Sequence, residues 1–173
     1  PTLAYNVFLG RGLKVRRWWD YVDKRLILGA VPFRGDATKL KDLGVTGVVN
    51  MCEEFDGLKC GYTELGIEQL WLPTTDFHHP TAELVDQGAE FIQRHLSNGG
   101  CVYVHCKAGR ARSATVVCWW LIKYRGMTPA AAQAKILAAR PHANPYVYLR
   151  PVIQELVQQL DTASRAQPSN SNA

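Results

Sequence analysis

The sequence predicts an α/β fold, with a mostly parallel central sheet and helices on both faces. Two observations carry this. Short apolar runs alternate along the chain with longer stretches of helical periodicity. The last apolar run, Cys101-Val102-Tyr103-Val104, passes through one short loop into the long apolar stretch from Ala114 to Ile122. That is the strand–loop–helix order of an open α/β sheet, whose sites lie at the carboxyl ends of central strands.

The elements follow in order. Leu26-Ile27-Leu28-Gly29 reads as a short strand ending in a turn, and Asp36 to Leu43 as a short helix closed by Gly44. Val45 to Met51 is a buried strand, and Ile67 to Leu72 another, ended by Pro73. Thr81 is a good N-cap for a helix carrying apolar Leu84, Val85, Phe91, Ile92 and Leu96, which Asn98-Gly99-Gly100 terminates. After the Cys101–His105 strand a helix is expected from about Arg112 to Tyr124, stopped by Gly126. Thr128-Pro129 opens the next as cap and first-turn proline, running to about Arg140 before Pro141. A last helix spans about Pro151 to Leu160. Residues 1–20 form an N-terminal arm, 21–160 one domain, and 161–173 a polar tail expected to be disordered. The arm combines apolar Leu3, Tyr5, Val7, Phe8 and Leu9 with basic Arg11, Lys14, Arg16 and Arg17 beside Trp18-Trp19. It reads either as a helix packed on the domain with its basic side solvated, or as a contact with an anionic membrane surface.

With 173 residues the chain can bury one full core, and 47% apolar content is ordinary for a globular protein. A formal net charge of +5 suits an anionic partner without choosing its class. No RNP, KH or zinc-finger pattern occurs, so nucleic acid is not expected as a partner. Cys52 and Cys60 lack a neighbouring Cys/His pair, which argues against zinc, while Cys101 and Cys118 lie in apolar runs and read as core. Five cysteines without scaffold spacing fit a reducing compartment. No apolar run reaches the roughly 18–20 residues of a membrane span.

The most informative stretch is His105-Cys106-Lys107-Ala108-Gly109-Arg110-Ala111-Arg112-Ser113, a pattern H-C-x5-R-S. A strand–loop–helix turn aims successive backbone N–H groups at one point, and the helix N-terminus adds positive potential there. A cysteine at the start of such a loop is favoured as thiolate. Arg112 offers a planar fork that fits two phosphoryl oxygens. Cys106 is therefore the candidate nucleophile, with Lys107, Ala108, Gly109, Arg110, Ala111 and Arg112 forming the phosphate cradle. The bland alternative is a buried structural cysteine beside a solvated arginine.

A cysteine that attacks a phosphate monoester needs an acid for the leaving oxygen and then a base for water. The cradle holds no carboxylate. Asp76, in Leu72-Pro73-Thr74-Thr75-Asp76-Phe77 after a strand and thirty residues before Cys106, is the best candidate; Asp86 reads as a helix-surface charge. Ser113 can donate to the sulfur and stabilise it as a leaving thiolate, or serve as a plain helix cap. His105 reads as orienting the loop through hydrogen bonds, or as a satisfied strand-end histidine. Lys107 and Arg110, among small neighbours, favour a substrate with more than one anionic group, or are a solvated pair. In the run Glu53-Glu54-Phe55-Asp56, either Glu53 or Glu54 is expected to brace Arg112 or Arg110, unless the run is a solvated acidic turn. No metal or cofactor is expected.

This signature resembles the Cys-based phosphatases of the protein-tyrosine-phosphatase superfamily, which implies the compact dual-specificity-phosphatase fold. Further features match one branch over about residues 1–160: Trp18-Trp19-Asp20, Leu-Gly-Ala-Val-Pro at 28–32, the Glu-Glu-aromatic-acid loop, the acid in L-P-T-T-D, and the cradle H-C-K-A-G-R-A-R-S-A-T with its downstream T-P helix start. These resemble the mitochondrial phosphatidylglycerophosphate phosphatases, also called mitochondrial dual-specificity tyrosine phosphatases. Two departures are Cys52, where a polar residue is common, and Phe55-Asp56, where Tyr-Glu is typical. The resemblance implies dephosphorylation of phosphatidylglycerophosphate to phosphatidylglycerol on the route to cardiolipin, at the matrix face of the inner membrane, with peripheral membrane contact. The alternatives are a dual-specificity protein tyrosine/threonine phosphatase, a phosphoinositide phosphatase, and a catalytically dead phosphate-binding module, against which Cys106, Asp76 and Arg112 together argue.

Overall fold

The computed structural model describes residues 17–166. The apolar start of the arm and its cations Arg11, Lys14 and Arg16 lie outside the described residues, as does 167–173 of the tail. Five strands, β1 (Trp19–Asp23), β2 (Leu26–Gly29), β3 (Val45–Cys52), β4 (Glu68–Thr74) and β5 (Cys101–His105), form one sheet in the order β1-β2-β5-β3-β4. The β1–β2 pair is antiparallel and every other pair is parallel. The helices are α1 (Asp36–Asp42), α2 (Lys59–Glu64), α3 (Ala82–Ser97), α4 (Arg112–Arg125), α5 (Pro129–Ala139) and α6 (Pro151–Ala166), with a 3-10 turn at Val147–Leu149.

Alternation along the central strands builds both faces. Leu28, Val49, Val102 and Val104 join one apolar cluster with Val85 and Ile92 of α3, Val116 and Trp120 of α4, Ile136 of α5 and Ile153 of α6. Their neighbours Ile27, Val48 and Tyr103 join a second cluster with Ala37 and Leu40 of α1 and Tyr62 of α2. The predicted layering of helices on both faces of a mostly parallel sheet is what forms.

The predicted caps hold. Thr81 and Thr128 accept from the backbone N–H of Leu84 and Ala131, and Gly126 closes α4 in the left-handed region at φ 64°. Three boundaries move. β4 continues through Pro73 to Thr74, because β4 is an edge strand where a missing N–H costs no ladder bond. β1 starts at Trp19, inside the expected arm, and α6 extends to Ala166, past Leu160 and into the expected tail. β1 and the six-residue α2 carry too little periodicity to announce themselves.

Because β3, β4 and β5 run parallel, their carboxyl ends open at one edge of the sheet. The Glu53-Glu54 loop, the Asp76 loop and the Cys106 loop therefore converge there.

Candidate active site

Cys106 follows β5 directly and is 2% exposed. Ser113 donates its hydroxyl to Cys106 Sγ at 3.2 Å. Burial by itself pushes the Cys106 thiol up; the Ser113 hydroxyl, the backbone N–H groups of Ser113 and Arg110, and the Arg112 charge outweigh it, so the thiol lies below its ordinary value. This is the thiolate-favouring field expected of the loop. Gly109 turns the loop at φ 63°, and a Cβ there would run into the Gly29 carbonyl, so the cradle packs backbone to backbone on the end of β2.

Arg112, the first residue of α4, is 3% exposed, and both terminal nitrogens of its guanidinium are engaged. Its Nη1 donates to Glu54 Oε2 at 2.9 Å and to the Thr74 carbonyl at 2.7 Å, and its Nη2 donates to Glu54 Oε1 and Asp76 Oδ1, both at 2.9 Å. Of the four acid–base pairings the sequence allowed, Glu54 with Arg112 is the one that forms. Glu53 is exposed and makes no contact with either cation among the described residues. The Arg112 guanidinium holds the Glu54 carboxyl below the ordinary glutamate value.

Asp76 sits where the sequence placed it, in a turn closed by the His78 N–H on the Thr75 carbonyl at 3.1 Å. Its Oδ1 meets Arg112, its Oδ2 accepts from Lys107 Nζ at 3.1 Å, and Phe77 N–H donates to Oδ1 at 3.2 Å. Phe77 adopts φ 65°, which an L side chain tolerates poorly, and projects 85% exposed at the lip of the site. Arg110 is exposed and donates Nε to the His142 carbonyl at 2.6 Å. Together these residues border a cleft of about 420 Å³, lined also by His78, His79, Asn144 and Arg150.

One expectation needs correction. His105 is fully buried, and neither ring nitrogen makes a well-formed hydrogen bond among the described residues, the Cys106 backbone at the start of the loop being a polar neighbour. Burial pushes the imidazole down to about 3, so it is neutral and packs as a ring, stacked 5.6 Å from Tyr103. Asp86 is the helix-surface charge expected, its side chain 34% exposed, and it also accepts from Trp119 Nε1 at 2.6 Å and Lys123 Nζ at 2.7 Å, clamping α3 to α4.

Sequence reasoning missed three residues. Arg140, 1% exposed, donates to the Gly109 carbonyl at 2.7 Å, the Ala108 carbonyl at 3.1 Å and Asp20 Oδ2 at 2.7 Å, supporting the cradle from behind. Asp20 in β1 is its buried counter-ion. Arg150, 8% exposed, reaches the cleft and donates to Thr115 Oγ1 at 2.9 Å. No local signal marks any of them, because each acts across the fold.

A buried cysteine whose thiolate is favoured, a glycine-turned loop at a helix N-terminus and a carboxylate lining the same cleft are suited to phosphoryl transfer through a covalent intermediate. Residues 26–159 match the family described as "Dual specificity phosphatase, catalytic domain". The chain is 42% identical over 144 residues to the phosphatidylglycerophosphate phosphatase PTPMT1 of Arabidopsis thaliana, covering 82% of this chain and 43% of that protein. It is 39% identical over 160 residues to the Homo sapiens phosphatidylglycerophosphatase and protein-tyrosine phosphatase 1, covering 87% of this chain and 78% of the human protein. The crystal structure of PTPMT1 superposes with a TM-score of 0.77 at 32% identity, covering 87% of this chain and 100% of that one. A structure of PTPMT1 in complex with PI(5)P matches at a TM-score of 0.75 and 32% identity, covering 87% and 99%.

Proposed function

The chain belongs to the dual-specificity phosphatase family, and we propose that it is a Cys-dependent phosphomonoesterase that converts phosphatidylglycerophosphate to phosphatidylglycerol. The observation that carries the chemistry is Cys106 Sγ held by Ser113 in the field of Arg112, with Asp76 facing it. The Cys106 thiolate attacks phosphorus, forming the S–P bond as the P–O bond to the glycerol headgroup breaks. Protonated Asp76 gives its proton to the departing oxygen. An incoming dianionic phosphoryl group takes over donors of Arg112 and Lys107 that the carboxylate otherwise uses. Asp76, now the carboxylate, removes a proton from water as it attacks phosphocysteine. The thiolate leaves onto the Ser113 hydroxyl.

The lipid substrate rests on the identity to phosphatidylglycerophosphate phosphatases over most of the chain. The cleft supports it. Lys107, Arg110, Arg112 and Arg150 face one carboxylate, Asp76, among its lining residues. Peripheral membrane contact fits the exposed Phe77 at the lip, with Tyr146 and Leu149, 67% and 54% exposed, in the segment between the cleft residues Asn144 and Arg150. Among the described residues no helix is long and apolar enough to cross a membrane. The location that follows from this reading is the mitochondrial inner membrane, matrix side, in cardiolipin synthesis.

The test is a panel of kcat/KM values on phosphatidylglycerophosphate, a phosphoinositide monophosphate and phosphotyrosyl and phosphothreonyl peptides in matched presentation. The lipid bisphosphate should lead. A leading phosphopeptide would overturn the substrate and leave the chemistry standing. The phosphoinositide is the second reading, favoured by the structural match to the PI(5)P complex.

A further inference from the structure

The geometry points to Arg150 as a second anion subsite in the same cleft, which receives the phosphodiester of a substrate whose monoester lies on Cys106; this rests on the phospholipid reading above. The other cations of the cleft are engaged. Arg112 is gripped by Glu54 and Asp76, Lys107 by Asp76 at 3.1 Å, and Arg110 spends Nε on the His142 carbonyl. Arg150 differs. The residue is 8% exposed and borders the cleft, yet it makes no ion pair with a carboxylate among the described residues.

Its side-chain hydrogen bond goes to a neutral acceptor, Nη1 to Thr115 Oγ1 at 2.9 Å, and Thr115 in turn donates to the Ala111 carbonyl at 2.9 Å. That chain fixes the guanidinium relative to the cradle backbone and leaves most of its five donors unspent. A buried, oriented and unpaired cation is costly unless an anion arrives. Its planar fork fits two non-bridging oxygens of a phosphate. Neutral Asn144 lines the same cleft, and burial keeps the neighbouring His79 imidazole below its ordinary value, so it competes little for the anion. A ligand with a phosphomonoester and a nearby phosphodiester matches both cationic centres. A simple aryl phosphate reaches only the first.

The experiment compares water-soluble substrates, which removes membrane docking from the readout. The pair is deacylated phosphatidylglycerophosphate headgroup, with monoester and diester, against glycerol 3-phosphate, with the monoester alone. On the unaltered protein the headgroup should have the lower KM. In Arg150→Gln the ratio of kcat/KM, headgroup over glycerol 3-phosphate, should fall roughly tenfold to a hundredfold, mostly through KM, as expected for losing a charge-assisted contact. Thr115→Val loosens the guanidinium but keeps its charge at the cleft, so the ratio should fall by less than in Arg150→Gln; if Arg150→Gln instead lowers kcat/KM equally on both substrates and leaves the ratio unchanged, Arg150 is a helix brace and the subsite falls. Should the Gln variant unfold, Arg150→Lys, which keeps charge and loses the fork, must lower the same ratio. Equal KM values for the two substrates on the unaltered protein also overturn the subsite. Failure of the unaltered protein to hydrolyse phosphatidylglycerophosphate in vesicles would instead overturn the reading beneath it.

Discussion

Glu54 grips the Arg112 guanidinium with both carboxylate oxygens, each 2.9 Å from a terminal nitrogen. The grip presets the plane of the fork that must meet the phosphoryl oxygens, so its value is orientation rather than charge. Glu54→Gln should therefore lower kcat/KM on an aryl phosphate by roughly tenfold to a hundredfold, the worth of one charge-assisted contact. The pH dependence has a definite sign. The Glu54 carboxyl lies below its ordinary 4.5 in the folded state. Its contribution to stability is present above that ordinary value and is lost as pH falls through the lowered one. Melting curves from pH 6 to 3 should fall more shallowly in the Gln variant; parallel curves would separate Glu54 from the acid sensitivity.

How much of this site could be read in the chain depends on how far apart its partners lie. The cradle was legible because a nine-residue run, His105 to Ser113, carries nucleophile, amides and fork at fixed spacing. Asp76 was legible from its place just past a strand, since parallel strands release their loops at one edge. Glu54 was half legible: the acidic run announced a brace, but loop geometry, absent from the sequence, chose between Glu53 and Glu54. Asp20–Arg140 and Thr115–Arg150 were not legible, because they join positions 120 and 35 residues apart with nothing local to mark either end. His105 misled for a related reason: its polarity suggested hydrogen bonds, whereas β5 buries it among Tyr103 and Phe55 rings.

Cys106→Ser should abolish turnover while the variant still binds phosphate analogues. The hydroxyl is a far weaker nucleophile at neutral pH, but the amides and Arg112 remain to hold the anion. Vanadate binding by calorimetry alongside a steady-state assay decides it. Near-normal turnover in the Ser variant excludes a phosphocysteine route.

Asp76→Asn should lower kcat by roughly 10²- to 10⁴-fold, the usual worth of general acid–base catalysis. The loss should shrink on substrates whose leaving group is already stable as an anion, because these need no proton. A series of aryl phosphates of graded leaving-group acidity reads this directly. An equal loss across the series would make Asp76 a positioning partner of Arg112 and Lys107 rather than the acid.

Ser113→Ala removes the hydroxyl 3.2 Å from Cys106 Sγ. That donor favours the thiolate over the thiol, so its loss must raise the Cys106 value. Alkylation of Cys106 by iodoacetamide, followed on its peptide by mass spectrometry, should rise with pH through a midpoint below the ordinary 9.0 in the parent and at higher pH in the Ala variant. The same donor stabilises the departing thiolate, so hydrolysis of the intermediate should slow more than its formation. Stopped-flow traces of the variant should then show a burst of leaving alcohol. A burst-free trace with an unmoved alkylation midpoint would reduce Ser113 to packing.

Arg140→Met tests the support behind the cradle. Arg140 is 1% exposed and joins three elements: the Ala108 and Gly109 carbonyls of the loop, Asp20 of β1, and its own position just past α5. Methionine approximates the volume but leaves the Asp20 carboxylate, whose side chain is 3% exposed, with the solvent-exposed Arg17 as its ion-pair partner. Breaking a buried pair by removing one partner costs about 3–5 kcal/mol when the remaining charge is uncompensated, and the Arg17 contact to Asp20 at 2.6 Å pulls the cost toward the low end. For a chain of this size that corresponds to a fall in Tm of roughly 6–20 °C. The double variant Asp20→Leu with Arg140→Met removes both charges, and it should recover much of the stability. It should not recover activity, since the two loop carbonyls still lack the donor that holds the cradle in shape. Recovery of both together would show that Arg140 serves the β1 junction alone, and that the cradle keeps its geometry through Gly109 and Gly29 without help from behind.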